Sequence, residues 1–339
     1  MRTSKGTPSI RSIMRGFALA ACAGAALAAG ARASLAQEWP ARPITIVLPL
    51  AAGSGLDTIA RLYGEKLQAV LGKPVVIDNR PGAALMLAAQ AVAAAPPDGY
   101  TLTVATTSAM AINPVLYKQI NYDPEKNFAP IALYVKSPFI LAVNPDIPAK
   151  DVKELIALAK SRKDPFNYSS PGAGVAQHLS IEYMKHRFDL QMTHVPYRNT
   201  PQSILDIASG HVHLGFVEAG AGLPLIKDGK LRALAVSSAT RLPVLPEAPP
   251  FAEASGAADF EAVSWHALFA PAGTPAPIID RLHREMKTIM AQPDMREKVS
   301  QLGLIPFDTP TPAELRVYLA SEREKWGSLV RRIGLEGSQ

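Results

Sequence analysis

Two glycine-containing turns carry the residues best suited to bind an anion. The first, Gly53-Ser54-Gly55, joins an apolar run to a helical pattern, and the second lies in "YSSPGAGVAQHLS", which begins at Tyr168. A helix N-terminus exposes backbone N–H groups and about half a positive charge, so it can hold an anion without a cationic side chain. A plain strand–helix turn is the alternative for each motif. Because this arrangement of strand, glycine turn and helix occurs twice, the sequence favours two sets of backbone N–H donors that face one cleft.

The first turn lacks the features of a nucleotide site. A dinucleotide fingerprint requires a third glycine where the chain has Thr58, and no Lys-Ser/Thr pair follows, as a P-loop requires. Neither turn contains lysine or arginine, so a bound carboxylate would be held by neutral dipoles and water. Asp57 falls in the first turn of the helix, where an acid stabilises the helix whatever the ligand.

Other polar residues allow further interpretations. Thr106, Thr107 and Ser108 end a predicted strand, where ligands collect in open α/β sheets, although turn formation or helix capping explains them equally well. His178 follows the second turn and lies within reach of a ligand there. The pair His211 and His213 would share one face of a strand, but no third metal ligand is suggested by spacing. The sequence therefore predicts no metal site.

The N-terminus has the layout of a secretory signal peptide. Residues 1–36 hold five basic residues and no acid, with an apolar small-residue run from Gly16 to Gly30. Cleavage is expected near Ala33 or Ala36, and lipidation of Cys22 is a less favoured alternative. Without this segment, 30 basic residues face 29 acidic ones, so the basic charge belongs to the leader and a nucleic-acid partner loses its support.

Apolar runs of strand length alternate with helical patterns from Pro43 onward. Helices are expected at Leu56–Leu71, about Ala84–Ala95, Lys150–Lys160, Ala176–Phe188, Pro201–Ser209 and Gly222–Lys227, and after Thr274-Pro275 and Thr311-Pro312. Strands are expected at "ITIVLPL", "VVI", "TLTVA", "FNYSS", "THVPY", "HLGFV", "LRALAVSS" and "AVSWHALFA". Repeated strand–helix–strand units predict a parallel sheet covered by helices. We expect two α/β lobes, with residues 37–137 plus 263–339 in lobe 1 and residues 138–262 in lobe 2. The cleft between the lobes is the expected ligand site.

Short motifs in a fixed order carry a family resemblance over essentially the whole mature chain. They are Leu50–Asp57, Asn79–Ala83, Pro97–Leu102, Ser169–Gly174 with His178-Leu179, Val195–Tyr197, Gly229–Val236 and Ala270–Pro275. In this order and spacing, the set resembles the Bug family, the extracytoplasmic solute receptors of tripartite tricarboxylate transporters.

The resemblance implies a periplasmic binding protein with a two-lobe, type II-like α/β fold and a ligand cleft between the lobes. Such a protein closes on a small organic carboxylate and delivers it to an integral-membrane permease, as a monomer without cofactor, metal or enzymatic activity. The ligand-binding roles that the resemblance implies fall on Ala52, Gly53, Ser54, Gly55, Asp57, Thr107, Ser108, Ser170, Gly172, Ala173, Gly174 and His178. Two alternatives stay open: a carboxylate sensor that docks on a signalling receptor, and a secreted hydrolase that uses Ser170 with His178.

The sequence also departs from the family pattern. Ala83–Met86 stands where glycines are usual, which predicts a more apolar ligand if this turn faces the cleft. Arg198-Asn199 adds a donor or a solvated charge, and His213 replaces a usual acid. These departures weaken the expectation of a citrate-like ligand.

Overall fold

A computed structural model describes residues 39–198 and 200–339. The expected signal peptide, Cys22 and the cleavage sites near Ala33 and Ala36 lie outside these residues. Residues Arg42–Gln339 form one compact unit, which contains both sheets. Among the helices of the described part, none is long and apolar enough to cross a lipid bilayer.

The strands and helices alternate through most of the chain. The strands are β1 Ile44–Leu48, β2 Val75–Asn79, β3 Thr101–Thr106, β4 Phe128–Ser137, β5 Phe139–Val143, β6 Phe166–Ser170, β7 Met192–Pro196, β8 Leu214–Glu218, β9 Arg232–Val236, β10 Ser264–Pro271 and β11 Ile305–Pro306. The α-helices are α1 Gly55–Leu71, α2 Met86–Ala93, α3 Asn113–Leu116, α4 Val152–Ser161, α5 Ala176–Phe188, α6 Thr200–Ala208, α7 Ala219–Lys227, α8 Phe251–Ser255, α9 Ala276–Met290, α10 Pro293–Gln301 and α11 Pro312–Arg332. A 3-10 turn (Ala83–Leu85) precedes α2, and a π-helical segment (Ser108–Ile112) precedes α3.

Two mixed sheets form the two lobes of the fold. The first lobe is built on six strands in the order β11-β4-β10-β3-β1-β2, and the second lobe on five strands in the order β7-β6-β8-β5-β9. β1 pairs in parallel with β2 and β3, and β6 pairs in parallel with β7 and β8. β10 runs antiparallel to β3 and β4, and β5 runs antiparallel to β8 and β9. The prediction of a parallel sheet is therefore wrong for part of each sheet, because β5 and β10, the first strands after the chain passes from one sheet to the other, enter in the opposite direction.

Local sequence signals fix several element ends. α1 ends at Gly72, whose left-handed φ of 69° caps the helix, and Ser54 caps its start by accepting from the Asp57 N–H. Thr311 and Glu314 form the expected capping box at the start of α11. The prediction that Thr274 caps α9 is wrong. Its hydroxyl donates to the Pro271 carbonyl, and Pro275 occupies the N-cap position.

β4 has no counterpart among the predicted strands. Its sequence is almost wholly buried but contains Pro130, a residue that argues against a central strand. In the structure Pro130 pairs with Phe269, beside a register shift between Leu268 and Phe269 of β10. The irregular pairing accommodates a residue that has no N–H to donate.

The last helix, α11, packs against both lobes. Leu315 and Leu319 belong to the core of the first lobe, together with buried residues such as Trp265. Trp326 and Val330, further along the helix, belong to the core of the second lobe. α11 therefore connects the two lobes through buried side chains.

Candidate ligand-binding site

The first glycine turn is held in shape by Asp57. The Asp57 carboxylate accepts from the Gly53 N–H at 3.0 Å, from the Arg61 side chain and from Asn79 Nδ2. Burial raises the pKa of Asp57, but these hydrogen bonds outweigh it and leave the pKa below its usual value. Ala52 and Gly53 are exposed, whereas Ser54 and Gly55 are buried. Asp57 thus positions the turn, as expected of an acid at a helix N-terminus.

The second turn contains a cluster of ring contacts and short hydrogen bonds. Ser170 Oγ lies 2.7 Å from His194 Nε2 and accepts from the Gly172 N–H. His178 Nδ1 accepts from the Gly174 N–H, and the His178 ring stacks on His194 with 4.2 Å between centroids. Burial and the nearby Lys185 charge lower the pKa of His178 to about 4. The serine of the hydrolase alternative therefore has His194, not His178, as its imidazole contact.

The hydroxyl residues at the end of β3 and directly after it differ in their contacts. Thr107 Oγ1 accepts from the Trp265 N–H, which ties the segment to β10. Ser108 Oγ accepts from the Ala176 N–H at 3.2 Å and so caps α5 of the other lobe. Within the described residues, Thr106 Oγ1 is buried without a hydrogen-bond partner. The Ser108 hydroxyl, which was predicted to bind ligand, thus connects the two lobes in this structure.

A small cavity lies between the two lobes. Its volume is about 20 Å³, enough for one water molecule. Its polar lining comes from Thr106, Ser108, Ser137, Gln177, Glu218, Ser264 and His266, and its apolar lining includes Leu50, Leu85, Phe139 and Val175. Of the residues to which the resemblance gives ligand-binding roles, Ser108 is the one in this lining. Thr107 directly precedes it, and the others lie in the two glycine turns and at the start of the helices that follow them. Because the cavity is so small, the lobes must separate to admit an organic ligand.

Glu218 and His266 are the cavity residues that sequence reasoning missed. Glu218 ends β8, and its carboxyl accepts a hydrogen bond from the Gly55 N–H of the other lobe. His266 lies on β10 opposite Thr106 on β3. In residues 39–198 and 200–339, Glu218 Oε2 and His266 Nδ1 are buried without a partner. Glu218 stands at the carboxyl end of its strand, where open α/β sheets bind ligands, and this position was the only sequence signal for it. His266 is the third residue of β10 and had no such signal.

Burial moves the pKa values of these two groups in opposite directions. It raises the pKa of Glu218 to about 7, although the Gly55 hydrogen bond works against the rise. It lowers the pKa of His266 to about 3, which keeps the imidazole neutral. The cavity therefore has at most one charge at neutral pH, and that charge is negative.

Leu85 brings an apolar side chain into the cavity from a strained turn. Ala83, Ala84 and Leu85 have φ values of 45°, 49° and 69°, in the left-handed region that favours glycine. Asn113 Nδ2 donates to the Ala84 carbonyl at 2.8 Å and helps to hold the turn. Leu85 lines the cavity, so it meets the condition under which the sequence predicts a more apolar ligand.

His211 and His213 of the second lobe make contacts with other groups of the protein. His213 Nδ1 accepts from the Asn167 N–H, and His211 lies exposed beside Ser209 and Asp206. Across residues 39–198 and 200–339, no group of three or more His, Cys, Asp or Glu side chains is arranged to hold a metal ion.

We expect Glu218→Gln to raise the free energy of unfolding by about 2 kcal/mol near pH 8 and to have almost no effect below about pH 4. The folded protein keeps the Glu218 proton up to about pH 7, whereas the unfolded chain releases it near 4.5, so wild-type stability falls as pH rises through this window. Urea denaturation across pH tests this. His266 makes stability change with pH in the opposite direction, but it is present in wild type and variant, so its contribution to the difference cancels. A stability difference that does not change with pH would contradict the raised pKa of Glu218.

Two α/β lobes with a small polar cavity between their glycine turns define the class of two-lobe binding proteins. A model of the tripartite tricarboxylate transporter family receptor (TctC) matches residues 59–335. The chain belongs to this family of periplasmic solute-binding receptors.

Curated relatives and solved structures agree with this membership. The chain is 33% identical to a UPF0065 protein from the tcbD-tcbE intergenic region of Pseudomonas sp. (strain P51), over all of both chains. It is 37% identical to a UPF0065 protein of Bordetella bronchiseptica, over 82% of each. R. palustris Rpa4515 with adipate has a TM-score of 0.84 and 33% identity, covering 88% of this chain and 99% of that one. The periplasmic binding protein BugD gives 0.83 and 32%, with the same coverage. MatC of Rhodopseudomonas palustris with bound malate gives 0.81 and 31%, covering 86% and 100%.

Proposed function

We propose that this protein is a periplasmic receptor that captures a small organic carboxylate between its lobes and delivers it to a membrane permease. The observation that carries the proposal is the cavity between the lobes, which both glycine turns flank. Thr106, Glu218 and His266 line it, and each has one buried polar atom without a hydrogen-bond partner among the described residues. Two similar receptors bind adipate and malate. Lobe closure then makes the closed state the liganded one.

The turn residues bind the carboxylate by exchanging hydrogen-bond partners. The N–H groups of Gly53, Gly55, Gly172 and Gly174 donate to Asp57, Glu218, Ser170 and His178, respectively. A ligand carboxylate would replace some of these internal acceptors or receive hydrogen bonds from Thr106 and Ser108. This proposal keeps ligand-binding roles for both turns and adds the cavity residues to them.

The domain boundaries and cellular location are part of the same proposal. We place the lobe crossings at residues 137–138 and 262–263, because Pro138 alone separates β4 from β5 and because β10 returns the chain to the first sheet. A signal peptide over residues 1–36 would deliver a monomer to the periplasm. N-terminal sequencing of the secreted protein tests the cleavage near Ala33 or Ala36.

A carboxylate should raise the melting temperature of the purified protein. Saturation about a hundredfold above the dissociation constant stabilises the folded state by about 2.7 kcal/mol, which is several degrees for a chain of this size. The panel contains adipate, malate, citrate, amino acids and aromatic acids, with neutral sugars and simple cations as controls. Shifts confined to the controls would overturn the proposed ligand class.

A further inference from the structure

Glu218 gives the cavity a single buried acid. No lysine or arginine is among the described residues that line the cavity, and His266 is held neutral by burial. One Glu218 oxygen has no hydrogen-bond partner among the described residues, and the residue is only 8% exposed. A buried carboxylate is stable when a cation or hydrogen-bond donor meets it. The ligand is the natural source of such a group.

Glu218 also occupies the position at which a ligand carboxylate would be stabilised most. Its carboxyl accepts from the Gly55 N–H, at the first residue of α1, where the helix dipole favours a negative charge. A second carboxylate placed there would face Glu218 as a like charge in a poorly solvated cavity. A ligand with carboxylates at both ends is thus disfavoured, and a single carboxylate is best held at the opposite turn.

The rest of the lining is mixed, and its apolar part is one patch with side chains from both lobes. Leu50 and Leu85 contribute to this patch from the first lobe, and Phe139 and Val175 from the second. Burial of a polar substituent against these side chains would cost free energy without a compensating hydrogen bond. The part of the ligand that meets this patch therefore has to be apolar.

We propose that the ligand is a zwitterionic amino carboxylate with an apolar side chain, whose ammonium group binds Glu218 and whose carboxylate binds the donors of the second glycine turn. This inference rests on the proposed function and narrows its ligand class. Glu218 acts as the specificity-determining residue: it selects an amine-bearing monocarboxylate and rejects the matching dicarboxylate.

The test compares ligands that share one carbon skeleton. Isothermal titration calorimetry measures binding of pentanoate, norvaline, glutarate and pentylamine, and of the shorter and longer members of each series. In the wild-type protein the amino acid should bind at least about tenfold more tightly than the monocarboxylate or the dicarboxylate. Glu218→Gln should lower amino-acid affinity by about tenfold or more and raise dicarboxylate affinity. Glu247→Gln, at an exposed position of the second lobe, should change neither.

The possible failures are distinguishable. If a dicarboxylate binds wild type as tightly as the amino acid, or if Glu218→Gln leaves the preference unchanged, the inference is wrong while the carboxylate receptor stands. If no carboxylate or amino acid shifts the melting temperature, the proposed function fails and this inference with it. The melting temperature of Glu218→Gln, expected at or above wild type near pH 8, shows that lost affinity is not lost folding.

Discussion

Gly303→Ala should lower ligand affinity by about a hundredfold, which corresponds to about 2.7 kcal/mol. Gly303 follows α10 in the first lobe, and a Cβ added to it would meet the Ala219 Cβ of the second lobe well inside van der Waals contact. Neither of these atoms belongs to a side chain that can rotate away. Ala219 directly follows Glu218, so the added methyl group separates the lobes at the cavity and destabilises the closed state.

Gly229→Ala provides a matched control for the backbone strain. Gly229 and Gly303 both have a φ of +70°, but a Cβ at Gly229 would meet no atom within 4 Å. Both variants incur the left-handed strain of about 1 kcal/mol, and only Gly303→Ala adds the clash. Calorimetry with the best carboxylate of the melting panel, together with small-angle scattering, measures the difference. Equal affinities in the two variants would show that the Gly303 contact does not control closure.

Glu322→Ala should lower the free energy of unfolding by about 3 to 5 kcal/mol. Glu322 lies on α11, and its Oε2 accepts from the indole N–H groups of Trp265 at 3.0 Å and Trp326 at 3.2 Å. Trp265 belongs to the core of the first lobe and Trp326 to that of the second. Removal of the carboxylate leaves two buried donors without an acceptor and opens a void between the lobes.

Urea denaturation measures this loss, and two further variants define its cause. Glu322→Gln keeps one acceptor oxygen and should lose less than the alanine variant. Glu324→Ala, on the same helix but exposed, should stay within about 0.5 kcal/mol of wild type. A loss below about 1 kcal/mol for Glu322→Ala would mean that water replaces the carboxylate and that α11 does not fasten the lobes through this contact.

The elements of the second lobe were largely predictable from local sequence. "FNYSS" forms β6, and Ala176–Phe188 forms α5, within the bounds that the apolar pattern indicates. The glycine turn between them follows from residues that tolerate positive φ, and Gly172 and Gly174 have φ values of 140° and 86°. Each of these features depends on neighbours within a few residues, so the sequence carries the information directly.

The contacts of the site were less predictable. Ser170 contacts His194, a residue 24 positions away, because β6 and β7 pair in parallel with Ser170 opposite Pro196. His178, nearer in sequence, instead accepts a hydrogen bond from Gly174. Strand pairing decides such contacts, and a single sequence does not reveal the register of parallel strands.

The sequence by itself determined the alternation of strands and helices, the caps at Gly72 and Thr311, the two glycine turns and the family to which their motifs belong. These depend on hydrophobic period and local backbone preference. Only the tertiary structure placed Glu218, His266 and Leu85 around one cavity and turned Ser108 into a cap for the opposite lobe. A lone acid at a strand end has no local pattern, because its burial, its pKa and its partners arise only when two distant segments come together across the cleft.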